Sequence, residues 1–349
     1  MCYNSFGGTV MNCYDFELTD YEKYFLEKNE NKFRAKQIFD WLYKKSIQAF
    51  DEITNMKKSL LEEIKKDFSF PLFTVLERHD SLDGTIKFLF KLQDGNLIET
   101  VLMNHDYGKS ICVSSQIGCN MGCSFCASGL LGKVRNLTAG EMVLQVVLVE
   151  RLIGERIGHV VVMGIGEPFD NYDNVMKFLR IINSPFGLEI GARHITVSTS
   201  GIVPRILDYA NEGLQTNLAI SLHAPNDEIR DKMMRINKAY PIAILMDAIS
   251  KFIEKTGRRV TIEYILIKDV NDTKECAYEL SKLLKGLNVY VNLIPYNEVL
   301  ENPYRRSEKN AMTNFYDILK KNNINTTLRR EQGHDIKAAC GQLRAKKLV

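Results

Sequence analysis

Short runs of β-branched and apolar residues alternate with helical patterns from about residue 110 onward. Alternation of this kind indicates βαβ units around a parallel sheet. One helix start is marked by Thr138, a good N-cap, and by Glu141, which completes a capping box. We therefore predict an α/β fold. Its predicted strands are SICVSS (110–115), HVVVMG (159–164), HITVSTS (194–200), TNLAISLH (216–223), VTIEYIL (260–266), VYVNLIP (289–295) and INTTLR (324–329).

The region between residues 14 and 70 has a different pattern, with apolar residues at helical spacing. Phe33, Ile38, Trp41 and Leu42 follow this spacing among residues of both charges. An apolar stripe with a mixed-charge opposite face is typical of surface helices. This region is therefore predicted to be a small helical accessory domain.

Two Asp-Gly pairs indicate a short antiparallel unit between residues 72 and 103. Asp83-Gly84 and Asp94-Gly95 separate the stretches FTVLERHDSL, TIKFLFKLQ and NLIETVLM. Asp-Gly between apolar stretches is a strong hairpin signal, because both turn residues tolerate positive φ. Three antiparallel strands are expected here.

Composition and charge tell us more about the cellular compartment of the protein than about its chemistry. The chain has 349 residues, 45% of them hydrophobic, and a net charge of +3, which does not by itself argue for a nucleic-acid partner. It has no run of 18 apolar residues, and its first residues do not resemble a secretory signal. We expect a cytoplasmic protein without a membrane partner. In that compartment, clustered thiols are more often metal ligands or catalytic groups than disulfides.

Polar residues and glycines collect just after the predicted strand ends. In parallel α/β barrels the catalytic residues lie at the face formed by the carboxyl ends of the strands. The predicted fold therefore places these residues where a catalytic site is expected. The residues concerned are Gly164, Gly166, Glu167, Pro168, Ser198, Ser200, His223 and Asn297.

The strongest chemical signal is Cys119, Cys123 and Cys126, spaced as CxxxCxxC. Three thiolates this close together can hold a [4Fe–4S] cluster and leave one iron open to chelate S-adenosylmethionine (SAM). A structural zinc site would need four closed ligands, and no second CxxC or HxxxH is present. An electron-transfer ferredoxin would need a fourth cysteine nearby, which is also missing.

From Phe33 to Leu343 the chain resembles the radical SAM RNA adenine C2 methyltransferases. The motifs that carry this resemblance are FRAKQIFDWLYKK, IETVLM, CVSSQIGCNMGCSFCAS, RNLTAGE, MGIGEP, STSGIVP, SLHAPND, LIPYN and DIKAACGQL. The resemblance implies a radical SAM partial (β/α)6 barrel. It also implies methylation of C2 of a 23S rRNA adenosine in the peptidyl transferase centre and of the anticodon-adjacent adenosine in a subset of tRNAs. The antibiotic-resistance relatives that methylate C8 are the alternative, but Pro168 and Ser200 match the C2 pattern.

The resemblance also divides the chain. The expected parts are an unmatched segment with Cys2 (1–12), a helical RNA-binding accessory domain that begins with Cys13 (13–70), a β-hairpin connecting unit (71–108) and the radical SAM barrel with a C-terminal cysteine segment (109–349).

Three residues receive catalytic roles by resemblance. Cys340 is expected to take a methyl group from one SAM and to pass it, after radical activation by a second SAM, to adenine C2. Cys112 is expected to resolve the enzyme–RNA link through a transient disulfide with Cys340, although its pattern also fits a core strand residue. Glu99 matches the proposed proton acceptor, although an isolated carboxylate on a hairpin strand is more often at the surface.

The positions that match the family's SAM contacts are Gly166, Glu167, Ser198, Ser221, Leu222, His223 and Asn297. His223 equally fits a structural histidine at a strand end. Cys276, on a predicted helix, is interpreted as structural.

The expected partners are 23S rRNA, tRNA and a reduced flavodoxin or ferredoxin-type electron donor. Basic residues around Cys340 fit phosphate binding and fit a solvated terminus equally well. They are Arg329, Arg330, Lys337, Arg344, Lys346 and Lys347. A hypothesis of another class is a non-catalytic, zinc-stabilised RNA-binding protein.

Overall fold

The computed structural model describes residues 10–130, 132–299 and 301–344. Cys2, Lys346 and Lys347 lie outside the described residues. The N-terminal part is helical, as predicted, and two short parallel strands join its ends. Its elements are β1 (Met11–Asn12), α1 (Leu18–Glu27), α2 (Phe33–Phe39), a π-helical turn (Asp40–Lys44), α3 (Lys58–Asp67) and β2 (Phe68–Ser69).

Aromatic side chains form the core of this N-terminal unit. Tyr21, Phe25, Phe39 and Phe68 are almost completely buried. The Tyr21 ring contacts the Phe68 ring, with centroids 5.3 Å apart, and the Phe39 ring at 5.8 Å. Burial of such rings is among the largest apolar contributions a small unit can make. This explains how three short helices form a stable layer.

Three antiparallel strands follow, as the Asp-Gly pairs predicted. They are β3 (Thr74–Asp80), β4 (Ile86–Lys91) and β5 (Leu97–His105). The turn glycines Gly84 and Gly95 both have φ of +82°, a conformation that favours glycine. The sequence signal and the observed hairpins therefore have the same physical cause.

From residue 108 onward, strands alternate with helices through six βα units and a seventh strand. A small ladder, β7 (Gln116–Ile117) with β8 (Arg135–Asn136), stands apart from the main sheet. The alternating elements are β6 (Gly108–Cys112), α4 (Ala139–Ile153), β9 (His159–Val162), α5 (Tyr172–Asn183), β10 (Ile195–Thr199), α6 (Val203–Tyr209), β11 (Asn217–Ser221), α7 (Asp227–Met233), α8 (Ile242–Thr256), β12 (Val260–Leu266), α9 (Lys274–Leu284), β13 (Val289–Pro295), α10 (Lys309–Lys321) and β14 (Thr326–Leu328).

All the main strands form one ten-stranded sheet, in the order β14-β13-β12-β11-β10-β9-β6-β5-β4-β3. The seven strands from β14 to β6 are parallel, and each lies on one of the seven predicted runs. The antiparallel strands extend the same sheet, because β5 pairs with β6 and sets Val101 opposite Cys112. The predicted α/β architecture with an antiparallel extension is confirmed.

Local signals also hold at α4, the helix that follows the cysteine loop. Thr138 caps it, and the side chains and backbones of Thr138 and Glu141 form the predicted capping box. The backbone N–H of Gly140 donates to Asp15 Oδ1 at 2.6 Å, which ties the N-terminal unit to this helix start. None of the helices in the described ranges has the length and apolarity needed to cross a membrane.

Candidate active site

The three clustered cysteines lie on the loop between β7 and β8, which we call the cysteine loop (residues 118–134). Gly118 has φ of +72°, and a Cβ there would lie 1.7 Å from the Gly132 carbonyl oxygen, so this position requires glycine. The Ser124 backbone N–H donates to the Met233 carbonyl at 2.9 Å. The Ser124 hydroxyl lies 2.8 Å from the Tyr304 hydroxyl. The loop is therefore held both by its own turns and by its neighbours.

Cys119, Cys123 and Cys126 all border one cavity with about 870 Å³ of empty space, which we call the cluster cavity. Burial raises the pKa of all three thiols, that of Cys119 to about 12. Thiols in this setting ionise when a metal binds them directly. In the described ranges, no three His, Cys, Asp or Glu side chains are gathered so as to hold a single metal ion. Three thiols from one short loop that border one cavity fit the three protein ligands of an iron–sulfur cluster better than the four closed ligands of a structural zinc ion.

Five of the seven predicted SAM contacts line the cluster cavity: Gly166, Glu167, Ser198, Ser221 and His223. Gly166 has φ of +112°, and a Cβ there would lie 2.6 Å from the Cβ of Gln116. Glycine is therefore required beside the strand end. Ser198 on β10 and Ser221 on β11 face each other, with hydroxyl oxygens 3.4 Å apart.

Glu167 is a buried carboxylate held by backbone donors. It accepts hydrogen bonds from the backbone N–H of Ser200 at 2.7 Å and of Phe169 at 3.0 Å. Burial nevertheless raises its pKa above the usual value. A buried anion fixed at a cavity wall is suited to bind a cationic amino group, whose charge would compensate its own.

His223 is also fixed, in a single protonation state. Its φ is 57°, and its Nδ1 accepts a hydrogen bond from the Ile265 backbone N–H at 3.1 Å. Burial, followed by the Arg230 charge, lowers its pKa to about 3. The neutral ring therefore carries its proton on Nε2, which remains available as a donor.

The other two predicted SAM contacts lie elsewhere. The Leu222 side chain is fully buried in the core, and its backbone N–H donates to the Glu263 carbonyl at 3.1 Å. Asn297 lines a second cavity instead, and its Nδ2 donates to the Cys340 carbonyl at 3.4 Å. The Asn297 Oδ1 is buried and has no hydrogen-bond partner among the residues that the structure describes, so a donor could still bind there.

This second cavity, which we call the thiol cavity, has about 550 Å³ of empty space and is bordered by Cys112 and Cys340. Cys340 also lines the cluster cavity, so its sulfur lies where the two cavities meet. Both thiols are free. Burial, and then the neighbouring charge of Cys340, raises the pKa of Cys112 to about 12. Cys112 also packs in a buried apolar cluster with Val101 and Met103, so it fits the alternative of a core strand residue and at the same time borders the thiol cavity.

Glu99 is buried rather than at the surface. Its Oε1 lies 3.3 Å from the Lys87 ammonium nitrogen, and its Oε2 accepts a hydrogen bond from the Arg344 backbone N–H at 2.5 Å. Burial raises its pKa above the usual value. Glu99 and Val101 share one face of β5, and Val101 lines the thiol cavity. The carboxylate therefore lies close to that cavity without lining it.

The segment that carries Cys340, residues 329–344, is fastened to the cysteine loop; we call it the C-terminal segment. The Ala127 backbone N–H donates to the Gly341 carbonyl at 2.8 Å. The Ser128 hydroxyl donates to the Leu343 carbonyl, also at 2.8 Å. The two parts of the chain thus meet through direct hydrogen bonds.

Two arginines that sequence reasoning did not place in the site lie next to it. Arg230 is fully buried and donates to the carbonyls of Ser200 at 2.7 Å and Leu222 at 3.1 Å, which joins the ends of neighbouring strands. Arg329, expected on a basic surface, instead donates to Cys340 Sγ at 3.3 Å. Nothing in the local pattern marks either residue, because only tertiary packing turns them inward.

The chain is similar to known proteins both in sequence and in structure. Residues 113–280 match the model of the radical SAM superfamily, and residues 11–69 match that of the ribosomal RNA large subunit methyltransferase N-terminal domain. The crystal structure of a radical SAM methyltransferase from Sphaerobacter thermophilus matches with a TM-score of 0.91 and 44% identity, over 96% of this chain and 100% of that one. The fold and the cysteine loop therefore define a radical SAM enzyme, a class that uses a [4Fe–4S] cluster and SAM.

Similarity to curated proteins is more specific. A protein from Acholeplasma laidlawii named "Probable dual-specificity RNA methyltransferase RlmN" is 55% identical over 97% of this chain and 100% of its own length. The protein of the same name from Enterococcus faecalis is 57% identical over 93% of each chain. The chain belongs to the RlmN family. This membership rules out the hypothesis of a non-catalytic zinc protein.

Proposed function

We propose that this chain methylates C2 of adenosine in 23S rRNA, at the peptidyl transferase centre, and of the anticodon-adjacent adenosine in a subset of tRNAs. The observation that carries the proposal is the position of Cys340, which borders both the cluster cavity and the thiol cavity. A methyl group on this sulfur would lie within reach of both. The relative from Acholeplasma laidlawii is named a dual-specificity RNA methyltransferase, and this name supports two kinds of RNA substrate.

Cys119, Cys123 and Cys126 would hold the cluster, and the wall formed by Gly166, Glu167 and the neighbouring strand ends would hold SAM. When bound, this pair supplies a 5′-deoxyadenosyl radical. Glu167 would accept hydrogen bonds from the SAM amino group, and His223 would donate from Nε2. Leu222 would contribute through its backbone, and Asn297 through its unpartnered Oδ1. Ser198 and Ser221 would bind polar groups of SAM between them.

Cys340 would carry the methyl group. Adenine C2 is an electron-poor carbon, so it does not attack the SAM methyl group as a nucleophile. Cys340 would therefore take the methyl group first, as a thioether. One hydrogen atom of that methyl group would pass to the 5′-deoxyadenosyl radical, giving 5′-deoxyadenosine, and the resulting methylene radical would bond to C2. Enzyme and RNA are then covalently linked.

Cys112 would resolve this link. Before this step the adduct would lose the C2 proton and one electron, which the cluster would accept. The Cys112 thiolate would then attack the Cys340 sulfur, and the bond from that sulfur to the methylene carbon would break with its electron pair on the carbon. That carbon would take a proton to become the methyl group, and a Cys112–Cys340 disulfide would remain for later reduction. The high pKa of Cys112 keeps it protonated beforehand, and one cause of that pKa is the Cys340 charge.

Glu99 would accept the proton that leaves C2, directly or through water. Burial raises its pKa, which makes its carboxylate a better base than an exposed one. Lys87 and the Arg344 backbone hold its two oxygens. Glu99 lies two residues from Val101 on the same face of β5 and does not itself line the thiol cavity. A relay through water is therefore the simpler route for the proton from C2 to Glu99.

The proposed partners follow from this chemistry. RNA would reach Cys340 as a splayed-out adenosine. A reduced flavodoxin or ferredoxin-type protein would supply electrons, and the protein would act in the cytoplasm, where rRNA and tRNA are found.

Mapping methyladenosine in RNA from cells with and without the gene tests the proposal. Digested rRNA and tRNA should lose 2-methyladenosine when the gene is absent, as measured by chromatography and mass spectrometry. Loss of 8-methyladenosine instead would establish the C8 alternative, against which Pro168 and Ser200 argue. Anaerobically purified protein should contain about four irons per chain.

A further inference from the structure

A third cavity lies near the amino ends of the parallel strands, and we call it the amino-end cavity. It has about 1480 Å³ of empty space. In closed parallel barrels the interior is normally filled by bulky branched side chains. The strands of this sheet instead line the cavity mostly with polar side chains, among them Ser110, Thr196, Thr261, Asn292 and Thr327. This end of the interior is therefore open and polar, as a binding cavity is.

Four rings, each at least partly exposed, form a continuous row at the edge of this cavity; we call it the ring row. His105 and Tyr107, at the turn between β5 and β6, are stacked with ring centroids 4.5 Å apart, and both line the cavity. The Tyr107 ring contacts the His159 ring edge-on at 4.8 Å, and the His159 ring contacts the His194 ring at 4.3 Å. Tyr107 is 65% exposed, which is unusual for so large a ring.

The two imidazoles that contact Tyr107 are uncharged at neutral pH. Burial, followed by the positive charge of Arg329, lowers the pKa of His105. Burial, followed by the charge of His194, also lowers the pKa of His159. Planar, uncharged rings of this kind stack well on nucleobases.

Three exposed arginines lie beside the amino-end cavity or the ring row: Arg193, Arg259 and Arg330. Arg193 directly precedes His194, and the Arg259 guanidinium lies 4.9 Å from the centroid of the Tyr290 ring. The acidic side chains that line the cavity are Asp106, in the turn, and the buried Glu263. Arginines beside exposed rings are typical of surfaces that bind unpaired nucleic acid, because they contact phosphates while the rings contact bases.

The amino-end cavity adjoins the thiol cavity. The residues that line both are Met103, Val161, Met163, Arg329, Arg330 and Gln332. The cluster and SAM would fill the cluster cavity, so an RNA base would have to approach Cys340 from another side. The amino-end cavity lies on such a side, and the ring row stands at its edge.

We propose that the ring row is an RNA-binding surface: Tyr107, with His105 stacked against it, stacks on an unpaired base next to the target adenosine. That adenosine would pass through the amino-end cavity towards Cys340, and the exposed arginines would contact the neighbouring phosphates. The inference rests on the proposed function, in which an RNA adenosine reaches Cys340. Proteins commonly bind splayed-out RNA by stacking unpaired bases on tyrosine and histidine rings.

The test measures how tightly the full-length, cluster-containing protein binds a stem-loop RNA that carries the anticodon-adjacent adenosine, by fluorescence anisotropy. Y107A should raise the Kd by about tenfold, because the loss of one stacked base has an effect of that size. Y107W should restore binding, since another aromatic ring can stack on the same base. The matched control is Y278A: Tyr278, on α9, is 58% exposed and lies outside all three cavities, so its loss should leave the Kd unchanged.

A second RNA, with abasic nucleotides on both sides of the target adenosine, makes the test specific for stacking. The wild type should bind this RNA about tenfold more weakly than the intact RNA, whereas Y107A should bind the two RNAs equally well. Y107A should also keep the wild-type slope of log affinity against log salt concentration, because no phosphate contact is lost. A wild-type Kd in Y107A, or the same abasic effect in both proteins, overturns the inference. If Y107A does not fold, Y107L takes its place in the same comparison.

Turnover separates this inference from the proposed function. The defect of Y107A should appear as a higher KM for the stem-loop RNA. If the wild type binds this RNA through Tyr107 but adds no methyl group to it, the proposed function fails and the RNA-binding surface stands. If the wild type methylates the RNA and Y107A has the same KM, the proposed function stands and this inference fails.

Discussion

The cysteine loop and the C-terminal segment border the same cavity but are built in opposite ways. The loop takes all its candidate ligands from the short stretch that begins at Cys119 and ends at Cys126, and its shape depends on local glycines such as Gly118. The C-terminal segment works through distant partners. Glu99 and the Arg344 backbone, which meet at 2.5 Å, are 245 positions apart in the chain.

The two regions therefore depend on different parts of the structure. A site whose ligands come from one short stretch depends mainly on its own turns and on the few neighbours that hold them, whereas a site made from distant strands depends on the whole sheet being in register. Substitutions in the loop should therefore abolish one function completely, and substitutions in the C-terminal segment should separate functions that normally occur together.

The largest effect is expected from Cys123→Ala. With two thiolates left, the protein should lose most of its cluster iron and all cleavage of SAM, because the cluster would have only two of its three protein ligands. Iron content and 5′-deoxyadenosine release after chemical reduction measure both. SAM cleavage at the wild-type rate would contradict the assignment of the cluster.

Cys340→Ala should separate the two uses of SAM. The variant should keep its iron and still cleave SAM, because the cysteine loop and the cavity wall are intact, but it should not methylate RNA. The control is Cys276→Ala, since Cys276 lies on α9, outside both cavities, and its loss should leave RNA methylation in place.

Labelled SAM sharpens this separation. When SAM carries three deuterium atoms on its methyl group, label should enter Cys340 first, and the RNA product should keep two of them. An RNA methyl group that keeps all three would mean direct transfer, and the methyl-cysteine route would be wrong.

Cys112→Ala should stop the reaction one step later. RNA should become covalently linked to the enzyme through Cys340 and stay linked, because the resolving thiol is missing. Denaturing gels with labelled RNA and mass spectrometry of the peptide would detect the adduct. Multiple turnovers without an adduct would show that a different group resolves it.

Sequence patterns predicted the fold almost completely. Strand runs, the Asp-Gly turns and the capping box of Thr138 are local signals, and each local preference agrees with the tertiary structure. The cysteine loop was predictable for the same reason. The inward turn of Arg329 was not, because a basic residue near a chain end has the same local pattern whether it faces solvent or a buried thiol.

The position of Glu99 shows the same limit. On β5 its pattern fits a surface carboxylate, and resemblance alone indicated a catalytic role. The buried carboxylate contacts Lys87 on β4 and the backbone of Arg344 in the C-terminal segment, and no periodicity within residues 97–105 carries that information. Its role, like those of the other site residues, stays a prediction for the variants described here.

Gly166→Ala should have an intermediate effect. The new Cβ would lie 2.6 Å from Gln116 Cβ, and φ of +112° is strained for alanine, at a cost of about 1–3 kcal/mol. The strand end at Gly166 must move away from Gln116 to make room for the new Cβ, and the wall of the cluster cavity moves with it. SAM affinity should therefore fall roughly tenfold or more. Equilibrium SAM binding and urea unfolding measure the two effects.

Gly154→Ala is the matched control. Gly154 also has positive φ, +68°, but a Cβ there meets open space. This variant should lose about 1 kcal/mol of stability without weaker SAM binding. Equal loss of SAM affinity in both variants would mean that general destabilisation, rather than the wall at Gly166, is responsible.

The smallest effect concerns the pH dependence of Glu99→Gln. Because burial raises the pKa of Glu99 in the folded state, protonation there stabilises the fold, and this contribution is lost as pH rises through the folded pKa. Glutamine imitates the protonated form. The variant should therefore be more stable than the wild type at pH ~7, and the two should be equally stable at pH ~4.

Urea unfolding at both pH values measures this difference, and Glu254→Gln, on the exposed side of α8, provides the comparison. RNA methylation by Glu99→Gln should nevertheless fall, by about 10²-fold or more, if the carboxylate takes the C2 proton. A variant that is less stable at neutral pH would show that the pair with Lys87 outweighs burial.

The hydrogen bonds from Ala127 and Ser128 to the C-terminal segment have a consequence for how the protein is made. Ribosomes build chains from the N-terminus, so every strand and the whole cysteine loop emerge before residue 340 does. Cys340, the proposed methyl acceptor, can dock only onto a framework that is already complete. A nascent or interrupted chain could assemble the cluster loop, yet it would have no thiol with which to capture RNA, and incomplete copies would be chemically silent towards the ribosome that makes them.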